Sequence, residues 1–414
     1  VTVLADRDGT LCVEGVALTD VAARHGTPCF VYSRAALETA YREFDGAFAG
    51  IPHLTCYAMK ANSNLAVLDV FARLGSGFDV VSGGELSRVV AAGGDPRKIV
   101  FSGVGKSEAE LRQGLELGIH CFNVESGSEL ARLDRIAGML GTRAPVSLRV
   151  NPDVDPGTHP HISTGLKESK FGIAIAEALE LYRQAAGLAN VVVRGIDIHI
   201  GSQITALEPY REAAMKVLKL VDALASEGIR LEHVDLGGGI GIRYHDETPV
   251  DLASYAAMIA ELFRGRRESL LFEPGRWLTG NAGVLLTRVA YLKPGAERSF
   301  AVVDAAMNDL LRPALYDAWH DVRPVRRCNE RPRIWQIVGP VCESADFLAR
   351  DRELALAEGD LLAILSAGAY AMAMSSNYNS RPRAAEVLID GNTMHLVGRR
   401  ESVGELFARE SRLP

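Results

Sequence analysis

No run of apolar residues in this chain is long enough to span a bilayer, and no basic-then-apolar stretch opens it. Residue 1 is valine rather than methionine, which leaves open what precedes it. Cysteine is scarce: Cys12, Cys29, Cys56, Cys121, Cys328 and Cys342, with no CxxC pair and no histidine at zinc-finger spacing. Those spacings indicate neither a disulfide framework nor a metal site, and they fit a reducing cytoplasm. Neither sign of charge dominates. The net charge of −7 argues against nucleic acid or an anionic membrane as the partner. Low-complexity blocks and solenoid periods are absent as well. What remains is an ordinary globular composition, 48% hydrophobic and 23% charged, in 414 residues. That length exceeds one small core and implies two domains, or a large barrel plus a second unit.

Short apolar runs alternate with helical patterns through the middle of the chain. The strand candidates are HLTCYAM, FDVVS, KIVFSG, HCFNVE, VSLRVN, VRGIDIHIG, LEHVDLGG and LLFEPG. Amphipathic stretches such as SEAELRQGLELG and PYREAAMKVLKLVDALASEG separate most of them. Alternation repeated about eight times predicts a (β/α)₈ barrel of the TIM type, with an open doubly wound sheet as the alternative. After Arg276 the texture turns to short strand-like runs with few long helices, which predicts a second, mostly β domain. The expected division is a barrel over 25–275 and a β domain over 276–414, joined by N-terminal strands within 1–24.

Polar residues stand where the barrel strands end, the face on which such barrels do chemistry. Lys60 closes CYAMK, just before a helix that Ser63 or Asn64 could cap. Asp79, Arg149, His199, Ser202, a run of glycines at 237–239, Glu273 and Arg276 follow. Taken singly, each has an ordinary explanation. Lys60 could keep its ammonium in water, His199 could be a core histidine, Arg149 an ion-pair partner and Asp79 a helix cap. Together they read differently. The glycine run frees backbone N–H groups for an anion, although GGGIG matches neither the Rossmann nor the P-loop spacing. Glu273 can hold a protonated heterocyclic nitrogen, and Gly275 and Arg276 beside it can serve a phosphate or carboxylate. A lysine, an anion cradle and a carboxylate at one barrel mouth point to pyridoxal 5'-phosphate.

Longer blocks carry a resemblance: CYAMKANSN, GFDVVSGGEL, KIVFSGVGK, LRVNPDVDPGTHPHISTGLKESKFG, HIGSQI, DLGGGIGIRY, EPGR, MNDLLRPALYDAWH, VGPVCESADFL and GAYAMAMSSNYNSRPR. In this order they make the chain resemble, over nearly its whole length, the barrel-type (fold type III) pyridoxal-phosphate decarboxylases. That family includes the ornithine, diaminopimelate and arginine decarboxylases. The resemblance implies an alanine racemase-like architecture, and a carboxy-lyase that converts meso-2,6-diaminopimelate to L-lysine and CO₂. It also implies a homodimer, because the CES segment reaches the cofactor of the opposite subunit in the family.

Roles follow from the same resemblance. Lys60 would bond the cofactor's aldehyde and His199 would stack on its ring, with Asp79, Arg149 and Tyr370 also at the cofactor. Ser202, Gly238, Gly239, Gly275 and Arg276 would hold the phosphate, and Glu273 the pyridine nitrogen. Arg276, Arg312, Tyr316, Glu343 and Tyr370 would bind substrate, and Cys342 would return a proton to the α-carbon. A distal end carrying both an amine and a carboxylate needs both signs of charge, which Glu343 and Arg312 would supply. Ornithine has only the amine there. The remaining rivals are a decarboxylase for ornithine, arginine or carboxynorspermidine, and a catalytically dead homologue that binds a partner. One residue departs from the family pattern: Ala371 follows Tyr370 where glycine is commoner.

Overall fold

A computed structural model describes residues 3–157, 165 and 170–414. Part of one quoted block, 158–164 and 166–169, lies outside the described residues. The chain divides into two compact units.

One unit, Tyr41–Ile242 with Glu247–Trp277, is a closed barrel of eight parallel strands. They are His53–Ala58, Gly77–Val80, Ile99–Phe101, Cys121–Val124, Ala144–Asn151, Val191–Asp197, His233–Asp235 and Ser269–Phe272. Each expected apolar run overlaps one of them. Closure occurs where the last strand pairs with the first, Leu270 opposite His53 and Phe272 opposite Thr55. The strands are apolar throughout because the barrel interior covers one face and the helices the other. Helix starts follow local chemistry. Asn64, not Ser63, caps Leu65–Arg73 by accepting from the N–H of Ala66, and Ser107 closes a reciprocal capping box with Glu110. The long helix Glu208–Ser226 buries Tyr210, Ala214, Val217, Val221 and Leu224 along one stripe. Phe48 stacks on Phe272 with ring centroids 4.1 Å apart, fixing the turn after the helix Arg34–Ala47 to the closing strand.

The other unit runs to Ala40 and adds Arg243–Asp246 and Leu278–Pro414. Its main sheet orders the strands Phe347–Leu354, Arg333–Val338, Ser299–Val303, Gly283–Lys293, Cys29–Ser33, Ala385–Asp390 and Thr393–Gly398. Residues 25–40, expected with the barrel, group here. Cys29–Ser33 hydrogen-bonds between Gly283–Lys293 and Ala385–Asp390, and is buried at every position. The first strands, Leu4–Arg7, Thr10–Val13 and Val16–Ala17, make a small sheet of their own. Leu4, Val13 and Val16 nevertheless pack into one core with Val31, Val284, Leu286 and Val387. Among the described residues no helix is long and apolar enough to cross a membrane.

Candidate active site

Lys60 sits in a single 3₁₀ turn, Met59–Ala61, directly after the first barrel strand. Its ammonium donates to Oδ2 of Asp79, at the end of the next strand. Asp79 is fully buried, and its Oδ1 has no hydrogen-bond partner among the described residues. A buried carboxylate with only half of its acceptor capacity used is costly unless a cation faces it. The Lys60–Asp79 pair therefore fixes the lysine at the mouth rather than freeing it into water.

The glycine turn is shaped by close approach. The N–H of Gly237 donates to Oδ1 of Asp235 at 2.9 Å, and its carbonyl accepts from the N–H of Glu273 at 2.6 Å. Gly239 has φ +97°, and a Cβ there would fall 2.3 Å from the carbonyl oxygen of Gly201. At Gly238 a Cβ would come within 2.1 Å of the Glu273 carbonyl oxygen. Arg276 opens the short helix Arg276–Thr279, and its Nη2 donates to Oγ of Ser202 at 2.9 Å. Gly275 lies against Ala58 and Ala61, where a Cβ would be 3.1 Å from a carbonyl oxygen. The glycine turn and Gly275 thus pack more closely than side chains there would allow, with Ser202 and Arg276 paired beside them. Backbone N–H groups and an arginine of this kind suit a phosphate.

His199 is neutral. The N–H of Gly238 donates to its Nδ1 at 3.2 Å, so the ring proton is on Nε2. Burial, then the charges of Arg149 and Lys60, hold its pKa well below the usual histidine range.

Glu273 is 5% exposed and belongs to a buried acidic trio, with one carboxylate oxygen each from Asp197, Asp235 and Glu273 within 4.8 Å of one another. Burial, then the carboxylates of Asp235, Asp79 and Asp197, push the Glu273 pKa well above the carboxylate range, while Lys60 opposes them. Asp197 is pushed up to about 7, by burial first, with Arg149 opposing. Arg149 faces Glu125 at 3.3 Å and Asp197 at 3.8 Å, and its guanidinium lies 5.1 Å from the Phe171 ring centroid. So much crowded negative charge calls for a cation. A protonated ring nitrogen at Glu273 would supply one, and the unsatisfied Asp79 Oδ1 and the glycine cradle fit the rest of a pyridoxal phosphate.

Asn123, Glu125, Asp197 and Asp235 were not among the expected site residues. Asn123 is buried and donates to Oγ of Ser102 at 3.0 Å and to Glu273 Oε1 at 3.4 Å. The signal was present in HCFNVE, where Asn123 and Glu125 follow Cys121 at period two in an otherwise apolar run.

The other expected residues lie in the β unit. Arg312 and Pro313 open the five-residue helix Arg312–Tyr316. The Arg312 guanidinium lies 4.3 Å from the Tyr244 ring centroid, and its Nη1 is 2.9 Å from Nε2 of His320. It is buried rather than a surface ion pair. Cys342 is exposed, and its N–H donates to Oδ1 of Asn379 at 2.8 Å. Glu343 approaches the Tyr378 hydroxyl at 3.5 Å. Tyr370 adopts φ +54°, whereas Ala371 after it has φ −113°. The strained position is the tyrosine itself, so alanine is accommodated at 371.

Comparison with known proteins agrees with this chemistry. The family described as "Pyridoxal-dependent decarboxylase, pyridoxal binding domain" matches residues 34–280. The diaminopimelate decarboxylase of Pseudomonas aeruginosa is 62% identical over 408 residues, 99% of this chain and 98% of that protein. A crystal structure of Helicobacter pylori diaminopimelate decarboxylase complexed with L-lysine aligns with TM-score 0.92 and 42% identity, covering 95% of this chain and 99% of that one. The M. jannaschii enzyme in co-complex with L-lysine aligns with TM-score 0.95 and 38% identity, covering 99% and 98%.

Proposed function

The chain belongs to the diaminopimelate decarboxylase family of pyridoxal-dependent decarboxylases, and from that premise we infer how its residues divide the work. It is a carboxy-lyase that converts meso-2,6-diaminopimelate to L-lysine and CO₂, the last step of lysine biosynthesis, with pyridoxal 5'-phosphate as cofactor. One observation carries the assignment of roles: Lys60 and Glu273 both follow strand ends of one barrel, a lysine and a carboxylate with the glycine cradle beside them.

When bound, the cofactor supplies an electron sink for the pair left on the α-carbon as CO₂ departs. Lys60 Nζ would hold its aldehyde end, with Asp79 keeping the lysine in place. Glu273 would accept a hydrogen bond from the protonated ring nitrogen, supported by Asn123, and that countercharge favours the ionised carboxylate. His199, neutral and buried, would pack on the ring face without adding charge. Ser202, Gly238, Gly239, Gly275 and Arg276 would bind the phosphate. Arg149 would balance Asp197 and Glu125 beneath the site.

The distal end of the substrate falls to Arg276, Arg312, Tyr316, Glu343 and Tyr370. Arg312 and Tyr316 would grip its carboxylate, and Glu343 its amine. Cys342 Sγ–H would be the proton source for the α-carbon, since a thiol donates near neutral pH. We further propose that the working unit is a homodimer in which the Cys342–Glu343 segment serves the other copy's site.

A CO₂-release assay with added pyridoxal phosphate tests the reading, comparing meso-diaminopimelate, ornithine, arginine and carboxynorspermidine. Lysine is expected from diaminopimelate alone, and no turnover in Lys60→Ala. Turnover of another substrate would leave the barrel chemistry standing and remove the distal roles of Arg312 and Glu343.

A further inference from the structure

Three side chains far apart in sequence meet at the end of the barrel opposite Lys60. His120 and Cys121 stand at the start of the strand Cys121–Val124, and His233 at the start of His233–Asp235. These strands are not neighbours in the barrel. One ring nitrogen from each histidine and Cys121 Sγ lie within 4.8 Å of one another. Cys121 Sγ is 3.9 Å from Nε2 of His233, and the two imidazole centroids are 5.2 Å apart.

The donor atoms are presented as ligands. His120 Nδ1 is 3.3 Å from the carbonyl oxygen of Arg97. A carbonyl can only accept, so Nδ1 carries the proton and Nε2 keeps its lone pair. That Nε2 is buried and has no hydrogen-bond partner among the described residues. A backbone carbonyl orienting an imidazole from behind is the usual support of a metal-bound histidine. His233 is 2% exposed, with its Nε2 turned to Cys121 Sγ. Its ring occupies space that a side chain at 195 would need: a Cβ on Gly195 would fall 2.1 Å from His233 Nε2. The strand carrying Gly195 has an irregular register between Val193 and Gly195, beside Arg194.

We propose that His120, Cys121 and His233 form a binding site for a thiophilic divalent cation, zinc by its ligand chemistry, with a water as the fourth ligand. One thiolate and two imidazoles suit zinc better than magnesium or calcium, which prefer oxygen. Bonds of about 2.0 Å to nitrogen and 2.3 Å to sulfur require the three side chains to draw together on the ion. As the zinc–sulfur bond forms, the Cys121 thiol proton leaves to water, and no electron changes hands. A cavity of about 390 Å³, lined by His120 with Arg97, Arg143 and Arg194 among others, gives water access to His120, the outermost of the three. Of the arginines at that cavity, Arg194 is offset by Glu232, 3.8 Å away. The ion would tie two non-adjacent strands across the barrel floor, away from the decarboxylation site.

The test uses the holoenzyme, treated with chelator, dialysed against zinc and assayed for metal per chain. X-ray absorption at the zinc edge reads the bound shell. One equivalent is expected, with one sulfur and two imidazole nitrogens, together with a rise in melting temperature. His120→Asn and Cys121→Ser should each bind that equivalent at least tenfold more weakly and lose the rise in melting temperature. Circular dichroism and retained decarboxylation identify variants that still fold. No bound zinc, a shell lacking sulfur or imidazole, or an equivalent indifferent to both substitutions overturns the proposal. In that case Cys121 and His233 form only a buried S–H···N contact.

Discussion

The backbone N–H of Gly238 donates to Nδ1 of His199 at 3.2 Å, tying the glycine turn to the histidine predicted to lie on the cofactor ring. One turn therefore does two jobs. It lines the proposed phosphate site and selects the tautomer that keeps His199 neutral. Gly238→Ala tests both, because the new Cβ would sit 2.1 Å from the Glu273 carbonyl oxygen and the backbone must move. Overpacking of this kind costs about 1–3 kcal/mol. Cofactor affinity is expected to fall about tenfold or more, which absorbance of the bound cofactor during dialysis would measure. Unchanged retention would remove the turn from the phosphate site.

Asp197 makes the cofactor-free enzyme sensitive to pH in a direction opposite to most carboxylates. Its folded pKa is pushed up to about 7, above the unfolded value of about 3.9. Between those values the unfolded chain has lost a proton that the folded one still holds. Stability therefore falls as pH rises through this window, by at most about 1.4 kcal/mol per unit from this group. Asp197→Asn should flatten that slope. Urea unfolding of both cofactor-free proteins at pH 5, 6 and 7 gives the comparison, and parallel slopes would count against the carboxyl's elevated pKa.

Lys106 is a lysine of the quoted blocks whose place is structural. Its side chain is fully buried, and Nζ donates to the carbonyl oxygens of Gly103 and Asn123 at 2.8 Å each and to Glu129 at 2.7 Å. It thereby braces the strand that carries Asn123 toward Glu273. Lys106→Ala leaves Glu129 buried without its partner, a loss of about 3–5 kcal/mol. Urea unfolding should show that loss. A surface-like effect under about 1 kcal/mol would contradict the bracing role.

How much of this could be read from residues alone depends on the range of the interaction. The eight barrel strands were legible because each is a short apolar run between amphipathic segments, and the helix start at Ser63 or Asn64 because capping is decided within a few residues, the choice of Asn64 falling to the fold. CFVYS, at 29–33, has the same apolar texture as a barrel strand. Only its pairing with Gly283–Lys293 and Ala385–Asp390 places it elsewhere, and that pairing spans more than 250 residues. Lys60, His199 and Glu273 stood out as polar residues at strand ends. Asp197 and Asp235 are the last residues of their strands and Asn123 lies within its own, where composition says only that a polar side chain is present. Their meaning lies in convergence on Glu273, which closure of the barrel creates.

Arg312 offers the sharpest test of substrate choice. Its guanidinium is stacked on Tyr244 and bonded to His320, so its plane is set before any ligand arrives. A pre-oriented fork matches a carboxylate by two parallel hydrogen bonds, whereas a lysine presents a point charge and loses the flat stacking surface. Charge-assisted hydrogen bonds contribute about 1.5–3 kcal/mol. Arg312→Lys should then raise KM for diaminopimelate about 10- to 100-fold, with a smaller change in kcat. If Arg312 serves only to hold His320 and Tyr244, the melting temperature will drop while KM stays put. A raised KM at unchanged melting temperature assigns the residue to the distal carboxylate, the group that separates this substrate from ornithine.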